Sequence, residues 1–432
     1  MEGRVEMKRA ISGFVTLLAA LALAVPQATV SSMTENGDEL VVNYTLDADA
    51  IVVVDIQTNV VDDVYASIGG EHQWTLEGDV NKRIEAGARS FTWTPSSDMP
   101  DCDVQAAKLK VVFSTYADGD APDYMVVDTA PTSTVYSVQR VKYYPNVESL
   151  PGGLLSNGAY LSSKIVMRHI RAKGVEWVMG TVGEIGRSTS NENAHTVTLT
   201  NDYWMAVFET TYCQTARSGS GGYRKVKPVR NTPWNNIRGN AATYSWPVKP
   251  AASSIIGRLR AAADGFPFDL PTEAQWEFAC RAGNGEGFWN DGSPILSATS
   301  TTEANLIRLA RFGYPHTDSD EGAGQKPGLY EPNSWGLYDM HGNECEFCLD
   351  WYQTDITGLG GMVNSWGACC ADGTTTGSTK AMRGGCFYTG TPSGCRSSSR
   401  SSGYGPDKYK QEVGFRLCSV YGFQEEELVD SL

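Results

Sequence analysis

From about residue 166 to the C-terminal end, only two segments of this 432-residue chain carry clear helical periodicity. Between them run long stretches rich in Gly, Trp and Arg. A fold built on such a sequence is dominated by loops, with aromatic anchors and buried charges in place of long regular elements. The first segment, "SSIIGRLRAAADG", offers Ser253 or Ser254 as cap, Ile255, Ile256, Leu259 and Ala262 on one face, and Gly265 as the stop. The second, "LPTEAQWEFACRAG", places Thr272 and Gln275 at capping-box spacing and ends at Gly283. Trp276, Ala279 and Cys280 then share a face, which makes Cys280 a core residue.

The region before it has a different texture. Residues 33–130 hold 19 acids and 5 bases, so nearly all of the chain's net charge of −15 sits there. Runs such as "ELVVNYTLDA", "AIVVVDIQT", "SFTWTP" and "KLKVVFSTY" are β-branched or aromatic and are broken by Gly, Asp, Asn and Pro. That pattern predicts a β-sandwich over residues 29–135, its carboxylates forming a solvated face. Residues 136–165, with "YYPNVESLPGGLLSNGAY", read as a linker. Excess acid excludes unaided binding to nucleic acid or to anionic membranes.

After Lys8 and Arg9, an apolar run from Phe14 to Val25 is followed by small residues around Ala28. This predicts a signal peptide over residues 1–28 and a protein exported to the periplasm, the cell surface or the medium, with no integral membrane span after cleavage. Residues 421–432 form an acidic tail. Export permits disulfides among the ten cysteines, whose pairing spacing alone leaves open. Neither the lone Cys345-x-x-Cys348 nor the adjacent Cys369 and Cys370 has the paired spacing of a structural zinc site. The five histidines, at 72, 169, 195, 316 and 341, show no ligand spacing either.

Taken in order, "VEWVMG", "HTVTLTNDYWMAVFETT", "KPVRNTPWNN", "LPTEAQWEFACRAG", "NSWGLYDMHGNECEF" and "RGG…CRSSSR…GFRL" resemble the sulfatase-modifying-factor family. Its founding enzyme converts a sulfatase cysteine to formylglycine. The resemblance covers residues 166–420 and implies an irregular α+β fold related to C-type lectins. The family's iron-dependent sulfoxide-synthase branch is disfavoured, because strand-like sequence stands where its histidine-bearing bundle would be.

Two departures bear on function. In the loop usually reading G-N-V-W-E-W, this chain has Glu344 and Cys345. Active members hold copper through cysteines at the fourth and ninth positions after the second Gly of R-G-G, and those positions here are Thr389 and Gly394. Cys386 and Cys395 are out of register, so the resemblance implies no catalytic pair, and a Cys386–Cys395 disulfide is the expectation. Two cysteines nine apart could still meet on copper, which keeps a formylglycine-generating oxidase acting on sulfatases as the alternative.

The resemblance also implies structural calcium, held by the Asp339 and Glu346 side chains and the Gly342 and Glu344 carbonyls. A second site would begin at Asn305 and the Leu306 carbonyl, with a carboxylate near Ser319. The segment 387–410, rich in Tyr, Ser, Gly and Thr, has the composition of an adaptable binding surface, with Phe387, Tyr388, Arg396 and Tyr404 as candidate contacts for a protein or glycan ligand. It resembles the variable region of diversity-generating-retroelement proteins.

Overall fold

The computed structural model describes residues 25–419 except 62–63, 101, 103, 118–119, 131–139, 216–225, 246–247, 315–323, 356–360 and 364–376. Most of the expected leader, the acidic tail, Ser319, Cys369 and Cys370 lie outside the described residues. Among these residues no helix is long and apolar enough to cross a membrane.

The acidic region forms two sheets. One takes β1 (Ala28–Asn36), β2 (Glu39–Leu46), β7 (Gly87–Trp93) and β5 (Glu77–Gly78) in the order β1-β2-β7-β5; the other takes β4 (Val64–Ser67), β3 (Ala50–Val61) and β6 (Lys82–Ile84), with β8 (Leu109–Tyr116) also paired to β3. Alternation decides the inner face: Leu40, Val42, Tyr44 and Leu46 of β2 meet Val52, Val54 and Ile56 of β3 and Phe91 and Trp93 of β7 in one buried cluster. The Trp93 indole donates to Asp98 at 2.8 Å, so its one polar atom is satisfied inside that core.

The run "AIVVVDI" is apolar at consecutive positions because β3 is buried on both faces. Ile51 and Val53 point away from the first cluster and join a second one, with Tyr143, Trp204, Phe347 and Phe415. The next strands, β9 (Tyr124–Asp128), β10 (Val141–Tyr144), β11 (Lys164–Ile170), β12 (Glu176–Met179), β13 (His195–Leu199) and β14 (Tyr203–Ala206), belong to the C-terminal half. A five-stranded sheet runs β10-β9-β11-β14-β22, closed by β22 (Cys418–Ser419) near the chain end.

This topology corrects the expected boundaries. β9 falls inside the stretch read as the first domain, and β10 inside the stretch read as linker; Tyr143, Tyr144, Leu150, Tyr160 and Leu161 of that stretch are buried. Its Asn residues misled the reading because they cap tight turns: Asn146 accepts from Ser149 N and Asn157 from Ala159 N.

Helices are few: α1 (Pro95–Asp98), α2 (Trp234–Arg238), α3 (Ala241–Tyr244), α4 (Ile255–Ala262), α5 (Glu273–Arg281) and α6 (Leu306–Leu309). The two expected from sequence are α4, capped by Ser254, and α5, with a full Thr272–Gln275 capping box. All nine residues of α5 are buried, including Glu273, Gln275, Glu277 and Arg281. Short strands complete the domain: β15 (Ala310–Arg311) beside β16 (His341–Gly342), β18 (Gly361–Val363) beside β13, and a sheet β20-β19-β17-β21 made of Ser401–Ser402, Lys380–Arg383, Cys345–Trp351 and Val413–Gly414.

Because Ile51 and Val53 pack across the two halves, each changed to Ala should cost the full-length protein about 2–4 kcal/mol. The same changes should barely move the denaturant midpoint of an isolated fragment 25–117, where that face is exposed. Equal losses in both would show that the two halves do not share this core.

Candidate functional site

The residues of interest lie where β17 and β19 meet, and a buried charge network fixes that place. Arg383, last residue of β19, donates to Glu273 at 3.0 Å and to Glu277 at 2.9 Å, both on α5. Arg400 adds a second pair to Glu273, at 2.6 Å. Burial alone would raise both glutamates, but Arg400 and Arg383 hold Glu273, and Arg281 and Arg383 hold Glu277, below the usual carboxylate range. This is why a helix with four polar side chains can be wholly interior.

Immediately after Arg383 the chain turns through Gly384 and Gly385, at φ 91° and 68°. A Cβ on Gly385 would lie 2.8 Å from Cys395 Sγ, so the bare backbone presses on that sulfur. The turn is tied to the neighbouring loop on both sides: Gly342 N donates to Gly384 O at 2.7 Å, and Phe387 N to Asn343 O at 2.7 Å.

The two cysteines expected to bridge fall in different buried clusters. Both are free thiols. Cys395 belongs to a cluster with Trp289, Leu306 and Phe312, whereas Cys386 belongs to the cluster holding Phe347 and Cys345. The neighbour that Cys386 does meet is Cys345, with which its thiol is hydrogen-bonded. That contact lowers the Cys386 thiol, against burial, and raises Cys345, which burial raises further. Thr389 accepts from Cys386 N at 2.8 Å, and a Cβ on Gly394 would lie 2.6 Å from Thr389 Cγ2. The two positions named by the resemblance are thus in contact but carry no sulfur.

The expected calcium loop is also differently arranged. Glu346, expected as a calcium ligand, is bidentate to the Arg416 guanidinium, at 2.6–2.9 Å, and accepts from the Trp276 indole at 2.6 Å. Gly342 and Asn343 instead serve backbone pairing with Arg311. Asp339, at φ 55°, accepts from Gly328 N at 2.7 Å. Glu344 is 1% exposed and neither oxygen makes a well-formed hydrogen bond, although the Gly324 amide gives some support. Among the described residues no three metal-ligating side chains are gathered closely enough to hold an ion. At the other expected site Asn305 donates to Pro294 O at 2.8 Å, and Leu306 is wholly buried with its amide donated to Glu303.

Sequence reasoning missed Glu209, in the "FETT" run. It is fully buried, accepts from Asn343 and Glu344, and its pKa is raised by burial and by Asp339, Glu346 and Glu344. It also missed Glu412, whose carboxylate lies beside Cys345 and Tyr388 and whose carbonyl accepts from Cys345 N at 2.9 Å. No local motif marks either, because each acts only through residues far away in sequence.

Of the candidate ligand contacts, Phe387 is fully buried, and Arg396 is 1% exposed and paired with Glu184 and Glu192 at 2.8 and 2.9 Å. Both are therefore interior supports rather than surface contacts. Tyr388 and Tyr404 are half-buried, and Lys410 sits 3.6 Å over the Tyr404 ring.

Two predictions follow from these charges. Glu273 and Glu277 titrate below their unfolded value of about 4.3, so the pairs' contribution is complete above that pH and is lost as pH falls through the depressed folded values. Arg383→Met should cost about 3–5 kcal/mol at pH 7 and flatten that acid-side loss in a melting series. Burial instead raises Asp339 to about 6. Stability therefore falls as pH rises from about 4 through 6, and Asp339→Asn should gain roughly 1–3 kcal/mol at pH 8 and nothing at pH 4. A calcium ligand would give the opposite sign, with chelator lowering the wild-type melting temperature.

The family is shown by the match of a domain model over more than half of the chain. Residues 162–420 match the model of the sulfatase-modifying factor enzyme 1-like domain. The formylglycine-generating enzyme of Streptomyces coelicolor is 28% identical over 289 residues, covering 58% of this chain and 88% of its own. The inactive C-alpha-formylglycine-generating enzyme 2 of Mus musculus is 27% identical over 234 residues, covering 52% of this chain and 60% of its own. Among solved structures, Treponema denticola variable protein 1 aligns with a TM-score of 0.44 at 21% identity, over 60% of this chain and 96% of its own. The matched domain takes in the buried arginines, the Gly-Gly turn and the thiol pair, and the chain belongs to the sulfatase-modifying-factor family.

Proposed function

We propose that this protein is an exported, non-catalytic member of its family, whose C-terminal domain binds a protein or glycan ligand. The observation that carries this reading is the contact between Thr389 and Gly394. At the positions where the resemblance places the copper thiolates, a threonine methyl stands where a side chain at residue 394 would begin, and neither residue carries sulfur. A hydroxyl is a hard, weakly acidic donor and a poor ligand for copper(I).

For the binding face, Tyr388 and Tyr404 remain as partly exposed aromatics, joined by Tyr409, which is 61% exposed. Tyrosines of this kind offer large amphipathic contact area at low entropic cost. A second reading, the formylglycine-generating oxidase, is favoured by one observation, that Cys345 and Cys386 bring two soft sulfurs together next to the empty register.

An assay separates the two. The purified protein is incubated with copper, oxygen and a sulfatase peptide that carries the target cysteine. We expect mass spectrometry to recover the peptide unchanged. Conversion of its cysteine, abolished by Cys386→Ala, would overturn the binding reading and establish the oxidase.

A further inference from the structure

Cys345 and Cys386 both stand at positions where nothing in the charge network or the fold requires sulfur, yet the tertiary structure brings them together. Cys345 opens β17, with its amide donated to Glu412 O at 2.9 Å. Glu346, the next residue, pairs with Arg383 in the antiparallel ladder between β17 and β19. Cys386 lies three residues beyond Arg383, past the Gly-Gly turn, and the bonds Gly342 N to Gly384 O and Phe387 N to Asn343 O hold the turn against the strand entrance. Both side chains lie in one buried cluster and their thiols are hydrogen-bonded to each other, which puts the two sulfurs next to one another as a disulfide requires.

We propose that Cys345 and Cys386 form a redox site that exchanges with external disulfides to close a Cys345–Cys386 bond, clamping the Gly-Gly turn to β17. Cys386 is the attacking thiol, since its contact with Cys345 favours the thiolate. It attacks one sulfur of a donor disulfide, RSSR, and one thiolate leaves. Cys345 then attacks the Cys386 sulfur of the mixed disulfide and releases the second. The donor, a small-molecule or protein disulfide, is reduced by two electrons; both protein thiol protons go to the two RS⁻ groups, so that two thiols and RSSR become one disulfide and two RSH. Cys395 takes no part, because its side chain packs in a different buried cluster, with Trp289, Leu306 and Phe312.

The consequence is mechanical. The segment that runs from the turn toward Tyr388 and Tyr404 is anchored at its start by backbone hydrogen bonds in the reduced form and by a covalent bond in the oxidised form. The proposal is independent of whether the domain binds a ligand or oxidises a peptide.

The test uses the full-length protein, fully reduced and then equilibrated with oxidised glutathione. Trypsin cuts after Arg383 and Arg396 and leaves Cys386 and Cys395 in one peptide, residues 384–396; cleavage after Glu344 and Glu346 frees Cys345 with Glu346. We expect the 384–396 peptide to carry that dipeptide through a disulfide, with Cys395 alkylated as a free thiol. The link should persist in Cys395→Ser and vanish in Cys345→Ser, where Cys386 becomes alkylatable. The oxidised wild type should melt higher than the reduced one, a difference absent from Cys345→Ser. A 384–396 peptide bridged internally, or recovered with both cysteines alkylated after oxidation, would overturn the proposal.

Discussion

The C-terminal domain depends on Arg383. One guanidinium, fully removed from water, joins the end of β19 to Glu273 and Glu277 of α5 and to the carbonyls of Ser397 and Ser399. A buried ion pair adds little net stability over a well-packed apolar substitute, but losing either partner leaves an uncompensated interior charge. Such a pairing therefore specifies arrangement more than it adds stability. It sets the start of the Gly-Gly turn, the path of residues 396–400 and the depth of α5 at once. Arg416 with Glu346, and Arg396 with Glu184 and Glu192, repeat the device elsewhere in the same domain. In a fold with so few long elements, these directional bonds do what extended packing does in a helical bundle.

The thiols take their chemistry from that frame. The turn after Arg383 passes so close to Cys395 that residue 385 can carry no side chain, and Cys395 and Cys386 fall in different buried clusters. What remains on the β17 side is Cys386 beside Cys345, with the carboxylates of Glu344 and Glu412 among their neighbours. A site that lost sulfur at two family positions has sulfur at two others, in contact with each other.

Glu209, Asp339 and Glu344 form the contrasting set. They are buried without the full complement of donors or cations that Glu273 and Glu277 have, and burial raises each. A carboxylate kept dry and incompletely paired disfavours its own charge. The loop that carries Asp339 and Glu344 pairs residues 310–311 with 341–342 through its backbone, so its shape does not rest on those side chains being ionised.

Much of this was legible in the sequence. The helices α4 and α5 announced themselves through caps and apolar spacing, the inner face of β2 through alternation, and the family through six ordered motifs. These are local signals, set by a few neighbouring residues and their backbone preferences. Tertiary structure decided the rest. The "AIVVVDI" run could not reveal that its second face belongs to the other half of the chain, and the turn-rich stretch around residues 141–161 could not reveal its burial. Glu346 lies in a loop with acids and a Gly-Asn turn, as a calcium ligand would, and only the fold delivers Arg416 to it from 70 residues away. Cys386 and Cys395 are nine residues apart yet pack in different buried clusters, whereas Cys345, 41 residues from Cys386, is its neighbour. Sequence distance measures how easily two groups could meet; which of them do meet is set by where the chain can pass once its buried charges are paired.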